Sequence, residues 1–212
     1  MRLAIVLAEF GRPAPDTTQF HRYFPDAEVQ VFSDGDVPDL FEPHPRHGWR
    51  SNDFWKVRKL LDSGADVAIS FDADMRIVSE DVRALPFLAA RFGLCLPANP
   101  RCLVRVDTSI GADSDHQLDR TNGTGYAVNC SPIALSLKYP RAVQVAEAYC
   151  EYMLANPCRG PLAWWRTIWS TGFSPCLLPP QWCVCAENIG CGNEIVLHDG
   201  HDAVRHHYAW KA

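Results

Sequence analysis

The residues with the most specific chemistry are Asp72 and Asp74, one residue apart at the end of the apolar run Val67-Ala68-Ile69-Ser70-Phe71. Two carboxylates at this spacing can serve one hard cation. One ligates directly, and the other acts through water or a sugar hydroxyl. Mg²⁺ or Mn²⁺ held this way also takes phosphate oxygens and can stabilise charge on a leaving diphosphate. The same dipeptide also arises as a solvated strand end with a helix cap, so the surrounding elements decide between the two.

Those elements read as alternating strands and helices. Residues 2–8 form a continuous apolar run, predicting a strand buried on both faces. The loop Glu9-Phe10-Gly11-Arg12-Pro13 follows, then a short helix over 17–24 and a second strand over 28–33. The stretch from Asp26 to Glu42 holds six acids and no Lys or Arg. Residues 52–63 predict a helix, with Phe54, Val57, Leu60 and Leu61 on one face and Gly64 as its stop. Residues 66–71 predict the strand that ends at Asp72. Strand–helix–strand order implies a parallel sheet covered by helices, which binds ligands at the carboxyl ends of its strands. Glu9, Asp34, Asp72 and Asp74 then share one sheet edge. Further along, a helix is expected over 80–92, strands over 93–96, 126–130 and 194–197, and helices over 140–155 and 162–170. The polar stretch 107–122 reads as a long loop, and the C-terminal third as largely irregular.

A length of 212 residues implies one domain. With 47% hydrophobic and 21% charged residues, a disordered chain, a coiled coil and a small disulfide scaffold are excluded. A net charge of -5 argues against a nucleic-acid binder built on a basic surface. No stretch approaches the roughly 18 apolar residues of a membrane-spanning helix. The first apolar run is cut short by Glu9 with no small-residue cleavage site, so it reads as a strand and not as a signal peptide. Nine cysteines without such a leader imply reduced thiols, mostly buried, and a cytoplasmic protein.

The run Val67–Met75, an apolar strand followed by Asp72-Ala73-Asp74 and an apolar residue, resembles the signature of nucleotide-sugar glycosyltransferases of the GT-A fold, in particular the glycogenin-like enzymes of family 8. The resemblance implies an α/β chain: a single GT-A (Rossmann-like) domain with a mostly parallel central sheet flanked by helices. Residues 1–100 would form its nucleotide-binding half and 101–212 its acceptor-side half. It implies transfer of a sugar, a hexose by analogy, from a nucleoside-diphosphate donor such as a UDP-sugar to an acceptor hydroxyl, with Mn²⁺ or Mg²⁺ held by Asp72 and Asp74. Lys56, sixteen residues before Asp72, matches a family lysine that reaches the donor diphosphate, with Arg58 and Lys59 as alternatives. Asn122-Gly123-Thr124-Gly125 resembles the segment whose backbone approaches the donor sugar. His198, in His198-Asp199-Gly200-His201, matches a metal-ligating histidine, with His201 as the alternative. Ala8, Glu9, Phe10 and Asp34 would lie near the nucleoside.

The resemblance extends along the chain as order and spacing, and departs from the family in two places. The helix near 161–170 lacks the family's Asp-Gln pair, and the terminal Gly-x-x-Lys-Pro-Trp element is missing. Retaining and inverting chemistry therefore both stay open. An inverting reaction needs a general base, for which Glu187, Asp199, Asp113 and Asp115 are candidates by position. The acceptor is a glycan, a protein, a small molecule or, through Arg101, Arg105, Arg205 and Lys211, a modified base in DNA. A sugar-phosphate nucleotidyltransferase and a non-catalytic module of the same fold are the other readings. Cys183-x-Cys185-x5-Cys191 has a single spacer unusual for structural zinc, and reads as buried thiols. Five of the seven tryptophans fall in the last third, which reads as core for an irregular region.

Overall fold

The computed structural model describes residues 1–10, 15–41, 47–98, 128–156, 158–186 and 188–209. In chain order the elements are β1 (Leu3–Ala8), α1 (Thr18–Tyr23), β2 (Glu28–Phe32), α2 (His47–Asp62), β3 (Val67–Asp72), β4 (Met75–Ile77), α3 (Leu85–Phe92), β5 (Leu94–Pro97), β6 (Ile133–Ser136), α4 (Pro140–Ala155), α5 (Gly160–Thr171), β7 (Cys176–Leu178), β8 (Val196–His198) and α6 (Asp202–His207).

The central sheet has six strands in the order β2-β1-β3-β6-β5-β7. Pairs β1–β2, β1–β3 and β5–β7 are parallel, and β6 alone runs against its neighbours. The expected α/β class with a mostly parallel sheet flanked by helices is what the chain forms. A second, two-stranded sheet pairs β4 with β8.

Period-two alternation divides the sheet's side chains between two apolar layers. Ala4, Val6 and Ala8 of β1 face α2, α4 and α5, and pack with Phe54, Val57, Leu60, Val145, Tyr149 and Leu162. Ile5 and Leu7 face the other way and, with Val67, Ile69 and Phe71 of β3, pack against Phe20, Leu85 and Ala89 of α1 and α3. Each Val, Leu, Ile or Phe side chain buried this fully contributes about 1.5–3 kcal/mol of transfer free energy. Both faces of β1 and β3 are thus dry, which is why those strands read as continuous apolar runs.

Several boundaries differ from the sequence reading for identifiable reasons. The helix expected over 80–92 is a 3-10 turn (Glu80–Ala84), opened by Ser79 Oγ accepting the Asp81 N–H at 3.1 Å, followed by α3. Pro86 in the first turn of α3 lacks the N–H that would continue one helix through the junction. Of the strand expected over 126–130, Val128 forms a lone bridge to Ala98, and the paired strand is β6, farther along. β4, β7 and α6 were not anticipated. The two strands have three residues each and the helix six, too short for a periodic signal. Helix α2 starts at His47, five residues before the expected position, and Gly64 at φ +69° terminates the segment as expected. Among the described residues no helix is long and apolar enough to cross a membrane.

Candidate metal centre

Asp72 is the last residue of β3 and pairs in register with Ala8 at the carboxyl end of β1. There the chain turns back through Ala73 and Asp74 into β4. The turn is held to β8 at three points. Met75 pairs with His198, the Asp199 N–H donates to the Asp74 carbonyl at 2.9 Å, and the Arg76 guanidinium grips the Asp199 carboxylate. In that ion pair Nε lies 2.6 Å from Oδ2 and Nη2 3.2 Å from Oδ1. Arg76 Nη2 also donates to the Tyr208 carbonyl at 3.4 Å, so α6 is tied to the same turn.

The result is a group of three side chains that could ligate one ion. Asp72, Asp74 and His198 each offer one ligand atom, all within 4.8 Å of one another. His198 Nε2 lies 3.2 Å from Asp74 Oδ1 and 3.9 Å from Asp72 Oδ2. All three side chains are largely but not wholly buried, at 15–20% exposure, so an ion or a phosphate can still reach them. Two carboxylates and an imidazole are hard and borderline donors, a set that suits Mg²⁺ or Mn²⁺. Among the described residues this is the one His/Cys/Asp/Glu group that could hold a metal ion. Cys183 Sγ accepts from Asn129 Nδ2 at 3.4 Å, and burial pushes its thiol well above the usual range, while Cys185 Sγ donates to Asn188 Oδ1 at 3.4 Å.

Behind Asp72 lies a second charge that the composition hides. Lys56 is 1% exposed, and its Nζ donates to Asp72 Oδ1 at 2.8 Å and to the Cys130 carbonyl at 3.0 Å. Asp53, one helical turn back, places Oδ1 3.6 Å from the same nitrogen. Burial pulls the ammonium pKa down, but Asp72 and Asp53 together outweigh it and leave it raised above the ordinary lysine value, so Lys56 stays charged. The nitrogen expected at a donor diphosphate is thus buried against the carboxylate that heads the site. Asp53 is fixed in turn by the Gly160 N–H, which donates to its Oδ2 at 2.9 Å at the start of α5, where the helix dipole favours an anion. Ser131 completes the setting: its Oγ accepts the Asp72 N–H at 2.9 Å and donates to Met75 Sδ at 3.3 Å.

Gly160 is required by this packing. A Cβ there would stand 2.5 Å from Cys130 Sγ and 2.7 Å from Asp53 Cγ. Gly160→Ala is expected to destabilise the fold by about 1–3 kcal/mol, the usual penalty of overpacking. A lower urea midpoint at unchanged slope would show it, and an unchanged midpoint would contradict it.

The remaining sequence candidates divide cleanly. Ala8, Glu9 and Phe10 lie at the carboxyl end of β1. Glu9 N–H donates to the Phe32 carbonyl at 3.0 Å, and the Phe10 ring meets Phe32 edge-on at 5.6 Å. Asp34 is exposed and opens a 3-10 turn after β2, which Asp36 closes by accepting from both the N–H and Oγ of Ser33. It therefore shares the sheet edge with Asp72, two strands away. His201 sits edge-on to His198, ring centroids 4.8 Å apart, at the start of α6. Asp199, a candidate base, is engaged by Arg76. Glu187, Asp113, Asp115, Asn122, Gly123 and Gly125 lie outside the described residues. Trp164, Trp165 and Trp182 are core residues, whereas Trp169 is 56% exposed.

Asp53, Arg76, Ser131 and Gly160 escaped the sequence reading. Asp53 had a signal, since an acid three residues before a lysine shares its helix face. Arg76 had none, since Asp74 lies in the turn before β4 and strand alternation does not relate the two. Arg76→Gln is expected to weaken Mn²⁺ binding by about 10–100-fold, the usual loss when a group that orients ligands is removed. Calorimetric titration with MnCl₂ measures it, and an affinity equal to wild type would show that the turn holds without the ion pair.

No protein-family model matches the chain, and no curated protein does. Solved structures do. One is a glycosyltransferase involved in the glycosylation of the major capsid of PBCV-1, which superposes with a TM-score of 0.58 over 100% of both chains at 8% identity. Another is the apo structure of the bifunctional glycosyltransferase WbbM, with a TM-score of 0.56 at 10% identity. That match covers 93% of this chain and 45% of WbbM. At such identities the likeness is one of fold: the chain has the α/β fold found in these glycosyltransferases.

Proposed function

We propose that this protein is a metal-dependent glycosyltransferase that moves a sugar from a nucleoside-diphosphate donor to an acceptor hydroxyl. The observation that carries the reading is the Asp72–Asp74–His198 group, set at the carboxyl edge of the sheet in a fold shared with glycosyltransferases. Asp72, Asp74 and His198 would hold Mn²⁺ or Mg²⁺, which when bound supplies positive charge to a departing diphosphate. In the transfer, the acceptor oxygen forms a bond to the anomeric carbon. The bond from that carbon to the diphosphate oxygen breaks, and its electron pair leaves with the nucleoside diphosphate. The acceptor proton passes to a base or to the leaving group.

The chain's own residues act by position. Lys56 and Ser131 fix Asp72, and Arg76 and Asp199 fix the turn that carries Asp74 and the strand end that carries His198. None of these has to rearrange when charge develops, which is the condition for strong electrostatic stabilisation. Ala8, Glu9 and Asp34 offer the adjoining sheet edge to a nucleoside. Because Asp199 is held by Arg76, it acts as a positioning residue in this reading and not as the base.

Calorimetric binding of UDP, GDP, ADP, CDP and TDP, each with Mn²⁺ and with EDTA, tests the proposal. Binding of one nucleotide that disappears with EDTA is the expected result, and it names the donor nucleotide. Binding indifferent to EDTA would overturn the metal requirement. Failure of all five to bind a folded protein would overturn the donor assignment.

A further inference from the structure

We infer that Lys56 fixes which oxygen of Asp72 faces a bound cation, and so gives the centre its preference for small octahedral ions over Ca²⁺. The inference rests on the metal-dependent reading and adds to it a residue that does not touch the ion.

Oδ1 of Asp72 receives the ammonium at 2.8 Å, while Oδ2 is the oxygen turned toward His198, 3.9 Å from Nε2. Asp74 Oδ1 approaches the same imidazole nitrogen at 3.2 Å. A cation shared by these three residues therefore meets Asp72 through Oδ2. Chelation by both oxygens would bring the ion against the Lys56 charge. Nor can Lys56 swing aside. It is buried, its Nζ also donates to the Cys130 carbonyl at 3.0 Å, and Asp53 stands 3.6 Å behind it. Asp53 is itself anchored to the first N–H of α5.

The consequence follows from ion size. Ca²⁺ takes 6–8 oxygens at about 2.3–2.6 Å and often chelates a carboxylate through both, whereas Mg²⁺ demands near-octahedral geometry at about 2.0–2.1 Å. A carboxylate confined to one oxygen suits the small ion and deprives the large one of a ligand atom. Lys56 is thus a positioning residue acting through Asp72, and Asp53 acts through Lys56. A purely structural ion pair would predict something else, namely equal loss of both ions when it is broken.

The test is a titration of the protein with MnCl₂, counting free Mn²⁺ by electron paramagnetic resonance, followed by competition with CaCl₂. It is run on wild type, Lys56→Met and the double variant Asp53→Asn/Lys56→Met. The double variant removes one buried charge of each sign, so it remains measurable if the single variant folds poorly. Wild type is expected to prefer Mn²⁺ over Ca²⁺ by at least about tenfold, and that ratio should fall by about tenfold in the variants as Asp72 gains its second oxygen. A wild type that binds no Mn²⁺ overturns the metal reading and this inference together. A wild type that binds both ions equally, or variants that keep the wild-type ratio, overturn the inference alone.

Discussion

Asp74→Asn is expected to abolish Mn²⁺-dependent nucleotide binding and to lower sugar transfer by about a thousandfold, while the metal-free protein melts no lower than wild type. The magnitude follows from the several kcal/mol of transition-state stabilisation that a bound metal supplies, each 1.36 kcal/mol being about tenfold in rate. The unchanged melting follows from local structure. The Asp74 carbonyl still accepts the Asp199 N–H, and an asparagine oxygen can still face His198 Nε2, now 3.2 Å from Asp74 Oδ1. The substitution also removes one of two neighbouring negative charges, which repel in the absence of an ion. Calorimetry with UDP and GDP in Mn²⁺ and in EDTA, beside a thermal melt in EDTA, separates the two effects. Wild-type nucleotide affinity in Mn²⁺ would remove Asp74 from the centre. A large drop in melting temperature would show that the carboxylate serves the fold.

How much of this was legible in the sequence depends on the range of the forces involved. β1 and β3 were visible because both their faces are buried, which makes the whole strand apolar. Helix α4 was visible because Val143, Ala146, Tyr149, Cys150 and Met153 repeat at helical spacing and Pro140 opens the first turn, although the structure buries Val145 in place of Val143. Asp72 and Asp74 stood out because carboxylates ending an apolar strand need a reason to be there. β4 carries no such mark. It is three residues long and exists because it pairs with β8, which does read as an apolar strand over 194–197, from a position more than a hundred residues away. That pairing delivers His198 to Asp74, so the third member of the centre was recognisable only by resemblance. Lys56 was misleading for a related reason. A lysine on a helix reads as solvated, and although Asp53 shares its helix face, nothing local shows that Asp72 closes over it in the core.

Lys56→Met is expected to destabilise the protein by about 3–5 kcal/mol, because it strips the nearest cation from two acidic groups and leaves Asp53, among the described residues, only the Arg159 guanidinium at 4.0 Å. For a chain of this length that is a fall of about 10 °C in melting temperature. Asp53 suffers most, at 6% exposure, and Asp72 somewhat less, since its side chain retains 18%. The double variant Asp53→Asn/Lys56→Met should recover most of the loss, because a buried ion pair replaced as a unit is often close to neutral in stability. Thermal melts of wild type, both single variants and the double variant form a cycle whose coupling term should be at least about 2 kcal/mol. A coupling near zero would mean that the ammonium serves Asp72 alone. A strong coupling, with stability restored but the preference for Mn²⁺ still lost, would show that these buried charges contribute little to folding. Their place in the core would then be explained by the site, where a carboxylate that must meet a cation through one particular oxygen needs a rigid countercharge behind the other.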